Sequence, residues 1–117
     1  MSDAQSIYPP ATPDIARHRR QLSPGPAEAF KNFSQAVFAA GALDAMTKQI
    51  IAVAVAHVTQ CPYCIRSHTA GALRAGATES QIMEAIWVAA EMRAGGAYAH
   101  SALAIDTMAQ HKHSEAD

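Results

Sequence analysis

Gln49 to Gly76 reads Q-I-I-A-V-A-V-A-H-V-T-Q-C-P-Y-C-I-R-S-H-T-A-G-A-L-R-A-G, and how this stretch folds decides the rest. It opens on an apolar run, Ile50 to Ala56, and continues into Cys61-Pro62-Tyr63-Cys64, with His68 four residues on. The β-branched residues of the run suit a strand as well as a helix, and periodicity cannot arbitrate over so short a span. No second strand exists to pair with it, and the neighbouring segments all carry helical patterns. The run therefore reads as part of a helix from Ala45 to about Thr59, capped by Asp44 and apolar nearly all round, so buried on most sides. Cys61 at the N-cap with Pro62 at N1 opens a further helix, Pro62 to Ala75, which Gly76 ends.

Upstream, Ser23-Pro-Gly-Pro26 is helix-entry punctuation. It predicts a helix from about Pro26 to Ala40, with Ala29, Phe30, Phe33, Val37 and Phe38 on the apolar face and Gly41 at the end. Residues 1–24 hold four of the six prolines and read as an extended arm, with one turn at Asp14–Gln21. The basic cluster Arg17-His18-Arg19-Arg20 suits a solvated or subunit-docking segment; an anion site is the sharper alternative. Downstream, Thr78-Glu-Ser-Gln81 fits a capping box. The helix that follows buries Ile82, Ala85, Ile86, Ala89 and Ala90, while Met83 and Trp87 suit core or subunit contact. Gly95-Gly96 reads as a kink or break before a last helix from Ala97 to about Met108. Residues 25–110 thus form a single helical domain, and 111–117 a frayed polar tail whose His111 and His113 suit at most adventitious metal.

Composition supports the same class. A chain of 117 residues, half of them hydrophobic but only 6% aromatic, makes one all-α domain with closely approaching helices. An Ala, Val and Ile core buries little area per residue, so partner subunits are expected to cover apolar faces. A net charge of −1 argues against nucleic acid and anionic membrane as partners. The N-terminus lacks the basic and apolar regions of a signal peptide, and the longest apolar run is far short of a membrane span. A cytoplasmic protein is expected, in which a C-x-x-C pair is redox-active or metal-binding rather than a structural staple.

Cys61 and Cys64 are the only cysteines. One helical turn apart, they face the same way and can close a reversible disulfide. The helix N-terminus favours a thiolate at Cys61. His68, at i+4 from Cys64, can accept that thiol's proton or stabilise its thiolate. Such a pair can pass through sulfenic acid to a disulfide with no bound cofactor. Two other readings stand beside this one. Cys61, Cys64 and His68 can hold a metal, with His57 or His100 as a fourth ligand, although closed structural sites space their ligands more widely. The cysteines can also be small buried hydrophobes. A thioredoxin-like setting is excluded, because the βαβ pattern it needs is absent.

The strings T-K-Q-I-I-A-V-A-V-A, C-P-Y-C-I-R-S-H and A-L-R-A-G-A-T-E-S-Q-I-M-E-A-I together resemble the core of the carboxymuconolactone decarboxylase / alkyl hydroperoxide reductase D (AhpD-like) family, over about Leu43 to Ala90. The resemblance implies an all-α bundle of about five to six helices and a homo-oligomer, commonly a trimer or hexamer. It also implies thiol peroxidase or disulfide reductase activity, fed by a protein or small-molecule thiol reductant. The decarboxylase branch generally lacks the cysteine pair, so the redox branch is favoured; a lyase on the same fold is the alternative. By the resemblance, Cys64 attacks peroxide, Cys61 closes the disulfide and meets the reductant, and His68 joins the proton relay.

Two positions depart from the family. Its relay glutamate, twelve residues before the first cysteine, is here Gln49, which cannot take a proton. Its histidine before the second cysteine is Tyr63, a weak base. The relay therefore cannot run unchanged. Glu91 and His100, either side of Gly95-Gly96, are candidates for the missing group, the alternative for Glu91 being a surface pair with Arg93. His57, one turn before Cys61, either lines the site or is a hydrogen-bonded helix-end histidine.

Overall fold

The structure, a computed structural model, describes residues 7–116. It contains five helices: α1 (Pro13–Leu22), α2 (Pro24–Phe38), α3 (Ala45–Thr59), α4 (Pro62–Arg74) and α5 (Glu79–Ala116). No strand occurs among the described residues, so the ambiguous apolar run is helical, as expected. No helix among them is long and apolar enough to cross a membrane.

α3 and α4 form an antiparallel hairpin, with α5 packed against α3. Local chemistry sets the boundaries. The Asp44 carboxylate accepts from the Thr47 N–H at 2.7 Å and caps α3. Gln60, with φ 61° and ψ 49°, ends α3 in the left-handed region and turns the chain within one residue. Thr78 and Gln81 form the reciprocal capping box, at 2.8 and 3.1 Å, that starts α5. The core between these helices is small. Val53 and Ala72 are fully buried, joined by Ala77 and Ile82, with Met46, Ile50 and Ile86 against them. Small residues on α4 let its backbone approach α3 closely.

The Asp44 cap has a measurable consequence. Hydrogen bonds from the Thr47 hydroxyl and then from the Thr47 N–H hold its carboxyl below the ordinary range. A depressed carboxyl adds stability that is full above the unfolded value, about 3.9, and is lost as pH falls through the lower folded value. Asp44→Ala should therefore lower the melting temperature at pH 7, and the gap to wild type should narrow as pH drops below about 4. Thermal melts followed by circular dichroism from pH 7 to pH 3 test this; a gap that stays constant with pH would contradict it.

Three expectations are corrected. Much of the extended arm is α1, because the Thr12 hydroxyl accepts from the Ile15 N–H at 3.2 Å and Pro13 takes the first helical position. Asp14 in its first turn and Arg19 and Arg20 in its last also suit the helix dipole. Residues 1–6 of the arm lie outside the described residues. α2 begins at Pro24 rather than Pro26, since both prolines fit in a first turn, and ends at Phe38. Lys48 Nζ caps that end, donating to the Val37 and Ala39 carbonyls at 2.8 and 2.6 Å, where Gly41 was expected to terminate the helix. Finally, Gly95-Gly96 does not break the chain into two helices, and the expected frayed tail is helical to Ala116. Glycine in a helix costs about 1 kcal/mol relative to alanine, which a long helix can absorb.

Candidate active site at the start of α4

Cys61 is the N-cap of α4. Its Sγ accepts from the Cys64 N–H at 3.3 Å, so a sulfur does the work that an oxygen does at most helix starts. Pro62 follows at N1, where its missing N–H is not needed. Both thiols are free and half-buried. Their acidities are pushed apart. Hydrogen bonds to Cys61 from the Cys64 side chain, and then from the Cys64 N–H, hold the Cys61 thiol below its ordinary range. Cys64 is raised, first because its thiol donates to Cys61, then by burial and by the Cys61 charge. Of the two, Cys61 is the sulfur that ionises first.

This asymmetry predicts the order of alkylation. As pH rises, iodoacetamide should modify Cys61 first, and Cys64 only at higher pH. In Cys61→Ser, Cys64 should react at lower pH than in wild type, because the bonded thiolate is gone. Peptide mass spectrometry over a pH series reads both; Cys64 labelled first in wild type would reverse the assignment.

Cys64 and His68 line one largely apolar cavity of about 310 Å³, together with Phe38, Ala52, Val55 and Thr59. α2 contributes Phe38, whose ring stacks on the His68 imidazole with centroids 4.9 Å apart and planes 21° apart. On its other side His68 Nδ1 lies 2.8 Å from Gln49 Oε1, across the α3–α4 interface. Gly71 is buried beside this contact. A Cβ there would sit 2.7 Å from Gln49 Oε1. Tyr63 points the other way, half-exposed, with Tyr8 packed edge-on against it at 6.0 Å.

Of the residues anticipated from sequence, Cys61, Cys64, His68 and Gln49 converge. Glu91 and His100 do not line this cavity. The His100 Nδ1–H donates to the Gly96 carbonyl of its own helix at 2.8 Å. Arg93 donates to the Val58 carbonyl at 2.9 Å rather than pairing with Glu91, as residues two apart on a helix face different ways. The His57 Nδ1–H donates to the Val53 carbonyl at 2.7 Å, the helix-end arrangement, while its ring edges a separate cavity under Tyr8. Among the described residues no three His, Cys, Asp or Glu side chains are grouped to hold a metal ion, so Cys61, Cys64 and His68 do not form a ready ligand set. Phe38, Lys48 and Gly71 were not anticipated. A glycine inside an alanine-rich helix was the one available signal of close approach.

The fold and site define an all-helical protein built around a helix-capping thiol pair. The chain belongs to the carboxymuconolactone decarboxylase family, whose model matches residues 24–107. It is 72% identical over 74 residues to an uncharacterized protein of the cox locus of Paracoccus denitrificans, covering 63% of this chain and 67% of that one. Among solved structures, a protein from Methanobacterium thermoautotrophicum shares 44% identity with a TM-score of 0.67, over 73% of this chain and 94% of the other. A carboxymuconolactone decarboxylase family protein from Thermotoga maritima, with a suggested role in antioxidative response, shares 29% identity with a TM-score of 0.55, over 65% of this chain and 70% of its own.

Proposed function

We propose that this protein is a thiol peroxidase that couples reduction of a hydroperoxide to oxidation of its Cys61–Cys64 pair. The observation that carries this reading is the split between the two sulfurs. One caps a helix and is the more acidic, and the other is the less acidic thiol, on the wall of an apolar cavity it shares with His68. The antioxidative role suggested for the Thermotoga maritima relative agrees with it.

In this mechanism the Cys64 thiol gives its proton to His68, and the thiolate attacks the terminal oxygen of ROOH. The S–O bond forms as the O–O bond breaks, and the alkoxide takes the proton from His68 and leaves as alcohol. Cys64 is then a sulfenic acid. The Cys61 thiolate attacks its sulfur, the disulfide closes, and the departing hydroxide becomes water with a solvent proton. The dithiol has supplied two electrons, and an external dithiol reductant restores it. Cys61, on the more open side, is the sulfur that meets this reductant, in a reducing compartment such as the cytoplasm.

The test is to add one equivalent of a hydroperoxide to reduced protein and follow closure of the Cys61–Cys64 disulfide. Oxidation much faster than that of a free thiol supports the reading. Oxidation no faster would redirect attention to a disulfide substrate or a lyase reaction on the same fold.

The active form is proposed to be a homo-oligomer. The chain exposes 9113 Å², whereas a compact monomer of 12.4 kDa exposes about 6,100 Å². Among the described residues the helix α5, about 57 Å long, packs only on α3 and α4, each less than half its length. Trp87, Tyr98 and Ile105, spaced to share one stripe of α5, are 65%, 83% and 61% exposed. Further copies of the chain would cover them.

A further inference from the structure

We infer that Gln49 is a positioning residue that fixes His68 in one tautomer, and that Gly71 is glycine so that it can. The tautomer follows from the Gln49 amide oxygen facing the ring; its service to peroxide reduction rests on the function proposed above.

Gln49 Oε1 can only accept a hydrogen bond. The imidazole nitrogen 2.8 Å from it, Nδ1, must therefore carry the proton, and Nε2 is left with its lone pair. The stacked Phe38 ring holds the imidazole by its face while Gln49 holds it by its edge. Two restraints in different planes leave the ring one orientation.

Gly71 supplies the room. It lies three residues after His68, on the same face of α4. The three heavy atoms nearest an added Cβ all belong to the Gln49 amide: Oε1 at 2.7 Å, Cδ at 2.9 Å and Nε2 at 3.3 Å. An alanine would suit the helix better but would push the amide away from His68. The amide is also uncharged. It orients the ring as a carboxylate would, yet adds no negative charge to hold the imidazole in its protonated form. With Nδ1–H committed to Gln49, the Nε2 lone pair is the one that can take the proton of Cys64.

The experiment is long-range ¹H–¹⁵N NMR on the full reduced chain labelled at histidine, with the His68 signals assigned by their loss in His68→Gln. The expected result in wild type is a protonated Nδ1 and an unprotonated Nε2 for His68. Gly71→Ala should stay folded by circular dichroism and show a mixture of tautomers. Gln49→Glu, whose carboxylate can only accept, should keep Nδ1 protonated. Peroxide-driven disulfide formation should slow roughly 10- to 100-fold in Gly71→Ala. A protonated Nε2 or a tautomer mixture in wild type overturns the inference, as does an unchanged tautomer in Gly71→Ala. A locked tautomer in a protein that does not react with peroxide would leave the inference standing and remove the proposed function instead.

Discussion

Cys64→Ser is expected to slow peroxide-driven oxidation by at least about a thousandfold, equivalent to about 4 kcal/mol of barrier. A serine hydroxyl stays protonated near neutral pH and forms no sulfenic acid, so the first step has no nucleophile. Cys61→Ser should behave differently. Serine is itself a good N-cap, so α4 should start where it did. Removing the Cys61 thiolate also removes the bond and the charge that raise Cys64. The first step should therefore survive, and a sulfenic acid should accumulate at Cys64, because no second sulfur is present to displace its hydroxyl. Dimedone trapping with mass spectrometry would detect it. Turnover with a dithiol reductant should be lost in both variants. If oxidation survived in Cys64→Ser and vanished in Cys61→Ser, the roles of the two sulfurs would have to be exchanged. The resting electrostatics make that comparison worthwhile, since Cys61 is the first to ionise.

Tyr98→Asp combined with Ile105→Asp should convert an oligomer into a chain of 12.4 kDa by light scattering and lower the melting temperature by at least about 10 °C. The two positions are seven residues apart and lie on one stripe of α5, away from the cysteines in sequence. Within the chain they are exposed, so a charge at either costs little in an isolated protomer. At a subunit contact each would be buried without a partner, which is costly. A wild-type protein that ran as a monomer, or a double variant with unchanged mass, would sink the proposed assembly.

The parts of the fold readable from sequence were those fixed by local chemistry. Asp44, Cys61-Pro62 and the Thr78–Gln81 box each act within a few residues, and each starts a helix where expected. α1 was also marked locally, by Thr12-Pro13-Asp14, but the surrounding prolines suggested extended chain. The continuity of α5 was not legible, because a glycine pair states only a local preference. Whether a helix survives it depends on the length and packing on either side. The site divides in the same way. The thiol pair and His68 lie on one short helix, so helical spacing finds them. The Gln49–His68 bond crosses nineteen residues between two helices, and Phe38 arrives from a third. Neither contact has a periodic signature. Glu91 and His100 flank a glycine pair that does not interrupt the helix.

Under the proposed function, a cap that is also a reactant ties the start of α4 to electron count. In the dithiol form the Cys61 sulfur accepts from the Cys64 N–H and ionises more readily than an ordinary thiol. A disulfide at this pair would leave a neutral bridging sulfur that cannot ionise and is a weak acceptor. The helix is therefore better started when the pair is reduced, and that preference enters the redox equilibrium. Stabilising the reduced form raises the reduction potential, which makes the disulfide the more forceful oxidant. Under the proposed function, discharge of the oxidised protein by an incoming thiol would be favoured by the secondary structure itself, and the direction of electron flow would be partly set by the residue that begins one helix.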